Sequence, residues 1–574
     1  MGATHSKTTS YVLETKKGKL RGIEQKDANG KPILYRYAKI PYARPPVGDL
    51  RWRRPQPLSS DFSFSTASGE PGDYSQFGPI CPQPEYGHGA AVLENPDAAP
   101  KIENTQSEDC LYLNIWVPAS SPPPSGWPVQ FHIHGGWLQV GDANQSNDHD
   151  PFDIFANGHP RIIAVPTYRL NLFGFLAGSD LASAEPADPA PGNYGLWDQR
   201  MALEWVQQNI AFFGGNPNMI TVGGLSAGAH SAFLQLYYDT YLSDSQRIIK
   251  QVYLWSNAIA IQPNPLTSQI LTDQFISLCE ALSIDASSNS SSKSRLVALR
   301  QVPADQLVTA ISKLKMHTFR TSTDNSFLSN KFLRTLHDGS FTALLAKHKI
   351  RVILGEVCDE ALLYKLVNPP STHTDLVRQF GNYYPKPVVD KLVTLTDVYD
   401  IPDPAKDDAS SQETKERYQD VFARIVADMQ VHASLRGLTK CLAADTGSGT
   451  PEVLRYRISW RAKELDHWIA PEVGVCHAAD TPIWWMSGWR GGYDEEDKQK
   501  ALKFLKPFAD LFEGKSLGVT TAMPHRIARY MDQNGQTHEN VEDDLWEKAM
   551  RVWDAVAEAG GKTNQSDEMR GLKL

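Results

Sequence analysis

A chain of 574 residues has room for several domains of ordinary size or for one elaborated α/β domain. Its composition, 41% hydrophobic and 21% charged, is that of a globular protein with a large core. The net charge is −9 with the acidic residues scattered, so there is no basic patch for nucleic acid phosphates, and no apolar run reaches the roughly 18–20 residues of a membrane-spanning helix.

The amino terminus, Met1-Gly2-Ala3-Thr4-His5-Ser6, lacks the hydrophobic stretch of a secretory signal and matches the Met-Gly-x-x-x-Ser acceptor pattern for N-myristoylation. A plain polar tail is the commoner meaning of so short a match. Acylated at Gly2, the chain would gain only weak, reversible membrane attachment. Without an export signal the expected location is the cytoplasm, with the six cysteines mostly reduced. They form no Cys-x-x-Cys or Cys/His cluster, so no metal site is expected. Residues 1–10 read as a flexible tail, and 11–22 with 33–38 as a small antiparallel start.

From about residue 110 the pattern changes. Apolar strand-like runs occur at 111–117, 128–133, 161–167, 219–225, 250–255, 350–355 and 452–459, with helix-like stretches at 196–213 and 227–238. Buried strands alternating with helices predict a large, mainly parallel sheet covered by helices on both faces. The proline run at 122–124 reads as a surface turn. Residues 262–345 and 362–450 lack strand character and read as helical inserts that shape a pocket over the sheet. One elaborated domain over 1–574 is the most economical organisation.

The chemistry is concentrated at Gly224-Leu225-Ser226-Ala227-Gly228, which follows a strand and opens a helix. That strand–turn–helix context is what gives Gly-x-Ser-x-Gly its meaning: the turn is too sharp for side chains, so glycines flank a serine whose hydroxyl stands above the sheet. The pattern predicts an α/β-hydrolase fold with Ser226 as nucleophile. Serine is a poor nucleophile without a base, and in such chains the order is Ser, then Asp or Glu, then His. The strand 351–355 runs into Glu356, Asp359 and Glu360, any of which suits the acid on chemistry alone. Of the 16 histidines, His477 is best placed, on a glycine-containing loop after the last strong strand. His134-Gly135-Gly136 follows an earlier strand, where such a segment supplies oxyanion-binding N–H groups; Gly135, Gly136 and Ala227 are the expected donors. Trp484, Trp485 and Trp489, close to His477, are equally compatible with lining a pocket and with packing beneath the loop.

Several longer segments extend the pattern: 37–48 (Tyr-Ala-Lys-Ile-Pro-Tyr-Ala-Arg-Pro-Pro-Val-Gly), 108–114 (Glu-Asp-Cys-Leu-Tyr-Leu-Asn), 192–200 (Gly-Asn-Tyr-Gly-Leu-Trp-Asp-Gln-Arg) and 213–217 (Phe-Gly-Gly-Asn-Pro). In these, and in their order, the sequence resembles the type-B carboxylesterase/lipase family, fungal carboxylesterases and lipases more than cholinesterases. The resemblance implies that the acid is Glu360, since the family's Asp-Glu-Gly falls on Asp359-Glu360-Ala361, and it supports His477 through Gly-x-x-His. It places the family's first disulfide on Cys81 and Cys110, which a chain kept in the cytosol would carry as thiols. It implies a role for Ser256 in supporting the acid. Leu225 replaces the family's customary glutamate, and residues 81–110 hold no tryptophan, so a cation–π choline site of the cholinesterase design is absent.

These readings together imply a serine carboxylic-ester hydrolase, free of metal and organic cofactor, acting on a small-molecule ester through an acyl-enzyme. An acyltransferase or coupling enzyme using the same three residues is the alternative, and a non-catalytic binding protein on this fold is the more distant one.

Overall fold

The computed structural model describes residues 7–568 except 86–103, 145–149, 186–190, 258–262, 288, 367–368, 409, 445, 448, 468, 488, 490–492 and 519–525. Among the described residues thirteen strands form one sheet. The first three are β1 (Lys7–Thr15), β2 (Gly18–Lys26) and β3 (Pro32–Pro41), which are antiparallel, and the short β4 (Gly72–Asp73) pairs with β2. Lys7–Ser10 pair with Ile23–Lys26, so the segment 1–10 is not a tail throughout: its second half is ordered by ladder hydrogen bonds to β2, which polar composition does not reveal. Gly2 lies outside the described residues.

The centre of the sheet comprises β5 (Tyr112–Pro118), β6 (Trp127–Ile133), β7 (Ile162–Pro166), β8 (Gly215–Leu225), β9 (Gln251–Trp255), β10 (Arg351–Val357) and β11 (Glu452–Ile458). The carboxyl-terminal edge is β12 (Ile527–Met531) and β13 (Thr537–Glu542). In space the order runs β1-β2-β3-β5-β7-β6-β8-β9-β10-β11-β12-β13. From β7 to β12 every neighbouring pair is parallel, which makes the body of the sheet parallel and its two edges antiparallel.

Period-2 alternation explains why the central strands are apolar throughout. Val252, Leu254, Val352 and Leu354 bury into the core on one face, and Tyr253, Trp255, Ile353 and Val357 into the core on the other. A third cluster, built from Leu376, Phe380, Tyr418, Phe422 and Ile425 among others, holds the second insert together and packs on the carboxyl-terminal helix Trp546–Glu568 through Val552 and Val556. All six cysteines are free thiols, so the pairing implied for Cys81 and Cys110 is not a disulfide here. The two are nonetheless neighbours, and hydrogen bonding with Cys81 together with burial holds the Cys110 thiol well above its usual range.

Candidate active site

The turn between β8 and the helix Ala227–Thr240 passes so close to the end of β6 that two of its residues must be glycine. A Cβ on Gly224 would lie 2.3 Å from the Ile133 carbonyl oxygen, and one on Gly228 only 1.9 Å from it. Between them Ser226 takes φ 59° and ψ −125°, a conformation that costs a non-glycine residue free energy of order 1–3 kcal/mol and marks functional turns. Its N–H donates to the Trp255 carbonyl at 2.9 Å, which fixes the serine across the β8–β9 pair.

The three carboxylates left open by chemistry are sorted by their partners. Glu360 is wholly buried, and its Oε2 lies 2.5 Å from Nδ1 of His477, while Oε1 accepts the Val357 N–H at 3.1 Å. Asp359 ties the two loops together: its N–H donates to the Val475 carbonyl at 3.0 Å and its Oδ2 accepts the Val475 N–H at 3.1 Å. Gly474 makes room for that contact, with φ 70° and space beside Asp359 Oδ2 that a Cβ would reduce to 2.9 Å. Glu356 faces elsewhere. Arg436 donates to both its oxygens, at 2.7 and 2.9 Å, and His432 Nδ1 lies 2.7 Å from Oε2. Burial alone would raise the Glu356 carboxyl, but Arg436 and His432 outweigh it and hold it well below the usual range.

Ser226, Gly135, Gly136 and His477 border one cavity of about 300 Å³. The Nε2 atom of His477 has no protein hydrogen bond among the described residues. Gly136, at φ 110°, folds tightly over the Val140 carbonyl, and a Cβ on Gly135 would sit 3.2 Å from the Ser226 Cβ, so this loop lies directly against the serine. Neither glycine's N–H is taken by an acceptor among the described residues. Ala227 opens its helix, so its N–H is one of the four such donors that a helix leaves unbonded. Together these donors offer a site for a negatively charged oxygen beside the hydroxyl.

Ser256 is buried at the end of β9 at φ 47°, and its Oγ has no hydrogen-bond partner among the described residues, so no bond joins it to Glu360. Trp484, Trp485 and Trp489 are core residues; Trp484 stacks on Trp255 with ring centroids 4.8 Å apart. Asp480, three residues after His477, accepts the Trp484 Nε1 hydrogen bond at 2.7 Å, and burial first, then the Glu360 charge, pushes its carboxyl up to about 6. Among the described residues no group of three or more His, Cys, Asp or Glu is arranged to hold a metal.

A second cavity, of about 120 Å³, meets the first at Ser226. Its walls come from both inserts, from Trp137 and from the helix Ala227–Thr240, and include Arg320, Tyr383, Tyr384 and His230. Sequence reading passed over all of these. Only Trp137, directly after His134-Gly135-Gly136, carried a positional signal; the insert residues follow no pattern that separates a cavity wall from a surface.

A sequence model of the carboxylesterase family matches residues 9–513. An uncharacterized esterase/lipase of Schizosaccharomyces pombe is 40% identical over 547 residues, covering 94% of this chain and 95% of that protein. A carboxylic ester hydrolase of Gibberella moniliformis is 34% identical over 555 residues, covering 95% and 96%. The crystal structure of Aspergillus niger EstA superposes with a TM-score of 0.71 over 96% of this chain and 99% of that one, at 20% identity, and supports the fold.

Proposed function

The chain belongs to the carboxylesterase family and is a carboxylic ester hydrolase, and from that premise we propose that Ser226, His477 and Glu360 carry the reaction through an acyl-enzyme. Ser226 Oγ attacks the ester carbonyl while Nε2 of His477 takes its proton. The carbonyl oxygen becomes anionic and is held by the N–H groups of Gly135, Gly136 and Ala227, each worth about 2.7–4 kcal/mol in comparable sites. His477 then gives the proton to the alkoxide as the C–O bond breaks, and the alcohol leaves. Water, deprotonated by the same histidine, releases the acid and restores the serine. Glu360, bonded to Nδ1, selects the tautomer that keeps Nε2 available and stabilises the imidazolium. The observation that carries this reading is the Glu360–His477 hydrogen bond on the rim of the cavity that holds Ser226.

The test is stopped-flow mixing of the protein with p-nitrophenyl acetate, beside Ser226→Ala. The expected result is a burst stoichiometric with enzyme followed by steady turnover, both lost in the variant. A burst that then stalls would mean that the acyl-enzyme excludes water and that the acceptor is another alcohol or an amine. A protein without burst that also resists a fluorophosphonate would refute the assignment of Ser226.

A further inference from the structure

Among the described residues the second cavity at Ser226 holds a single permanent charge, and that charge has no counter-ion. Arg320 is the only lysine, arginine, aspartate or glutamate on the described walls. Among the described residues no carboxylate pairs with it, and its guanidinium makes one hydrogen bond, from Nε to the Asn382 carbonyl at 3.0 Å. Nη2 is shut off from solvent and meets no acceptor among the described residues. A guanidinium presents five N–H donors in a planar fork that matches a carboxylate, and leaving them unmatched in a partly desolvated site is costly.

The cation is also held in place. Its plane lies over the Tyr383 ring at 4.4 Å. On either side, the Phe319 N–H donates to Gln139 Oε1 at 3.0 Å, and the Ser322 N–H donates to Asn193 Oδ1 at 3.0 Å. A side chain fixed this way loses little entropy when a ligand arrives. The other basic group in the wall, His230, stays neutral at physiological pH, because burial first and the Arg320 charge second push it down to about 3. The cavity therefore offers one localised positive charge.

Position assigns the part of the substrate that would meet it. The carbon bonded to Ser226 Oγ carries three other substituents: the oxyanion, the leaving oxygen and the acyl chain. The first belongs beside Gly135, Gly136 and Ala227, where the two cavities meet, and the second beside His477, and the two glycines and the histidine line the first cavity. The acyl chain is left to the second cavity, where Arg320 lies. We propose that the preferred substrates are half-esters of dicarboxylic acids, whose free carboxylate on the acyl side pairs with Arg320 during hydrolysis. The reaction is the hydrolysis already described, so water and half-ester give diacid and alcohol, and the inference rests on Ser226 being the nucleophile.

The experiment compares kcat/KM for the monoethyl esters of succinate, glutarate and adipate with that for neutral ethyl esters of matched acyl length, using ethanol release. At least one half-ester should exceed its neutral match by tenfold or more. Arg320→Gln should reduce that preference at least tenfold, and Arg320→Lys should retain part of it. Neutral esters favoured at every length, or a preference unchanged in Arg320→Gln, would overturn the inference while leaving the esterase reading intact. Should Arg320→Gln not fold, the wild-type comparison alone decides. A protein that takes neither series and resists fluorophosphonate would overturn the Ser226 reading, and this inference with it.

Discussion

Asp480 gives a prediction whose sign and size both follow from its surroundings. The side chain is wholly buried; Oδ2 accepts from Trp484 Nε1, and Oδ1 has no hydrogen-bond partner among the described residues. Burial and the neighbouring Glu360 raise its pKa from 3.8 to about 6. A carboxyl raised on folding is bound to its proton more tightly in the folded state. Its stabilising contribution is therefore complete below the unfolded value and is lost as pH rises through about 6. Applied to those two values, linkage gives a loss of about 2 kcal/mol between pH 4.5 and 7.5. Asp480→Asn keeps an acceptor for Trp484 and cannot ionise, so it escapes that loss. Denaturant unfolding of both proteins across the range should show the variant gaining about 2 kcal/mol on the wild type as pH rises. Because the difference is taken at each pH, the titration of carboxylates that do not interact with Asp480 cancels. A difference flat to within about 0.5 kcal/mol would refute the reasoning.

The acids on the same strand end separate function from stability. Glu360→Gln should lower kcat by about 10³–10⁴ with little change in unfolding, since it loses the partner that orients the imidazole. Glu356→Gln should instead cost about 3–5 kcal/mol in denaturant stability, because it leaves Arg436 and His432 buried around a neutral amide. Gly135→Ala would set a methyl group 2.8 Å from the Leu225 carbonyl and 3.2 Å from Ser226, and a fall of about 10²–10³ in kcat at nearly constant KM is the expected signature. Gly228→Ala drives a Cβ to 1.9 Å of the Ile133 carbonyl, so the soluble yield of the variant should collapse.

The central sheet was legible because strands buried on both faces must be apolar along their whole length, and each of the seven runs read between 111 and 459 falls on a strand. What was missed at the ends lacked that signature. In β13, Thr537–Glu542, no residue is buried, and the strand exists by pairing with β12. The last residues of β12 pair with β11 over only three positions, Tyr456 to Arg529 through Ile458 to Met531. Lys7–Ser10 are exposed and polar, and only the ladder to β2 makes them a strand. Edge strands draw their stability from a partner more than from their own side chains, so periodicity does not find them.

The same distinction runs through the site. Gly224 and Gly228, which flank Ser226, are fixed by backbone geometry: the approach of the β8–helix turn to Ile133 leaves room there for nothing but glycine, and such constraints write themselves into sequence as a motif. The choice among Glu356, Asp359 and Glu360 is different in kind. All three follow one strand, and what separates them is which distant residue each meets: Arg436 for Glu356, Val475 for Asp359, His477 for Glu360. Composition cannot decide that; the resemblance to a family does, because a motif carries the tertiary contact with it. The acyl cavity has neither aid. Arg320 stands in an insert whose neighbours pin its backbone through Gln139 and Asn193, residues 181 and 127 positions away, and no local pattern marks it. The reaction is thus encoded where the sheet constrains the chain, and the choice of substrate where it does not.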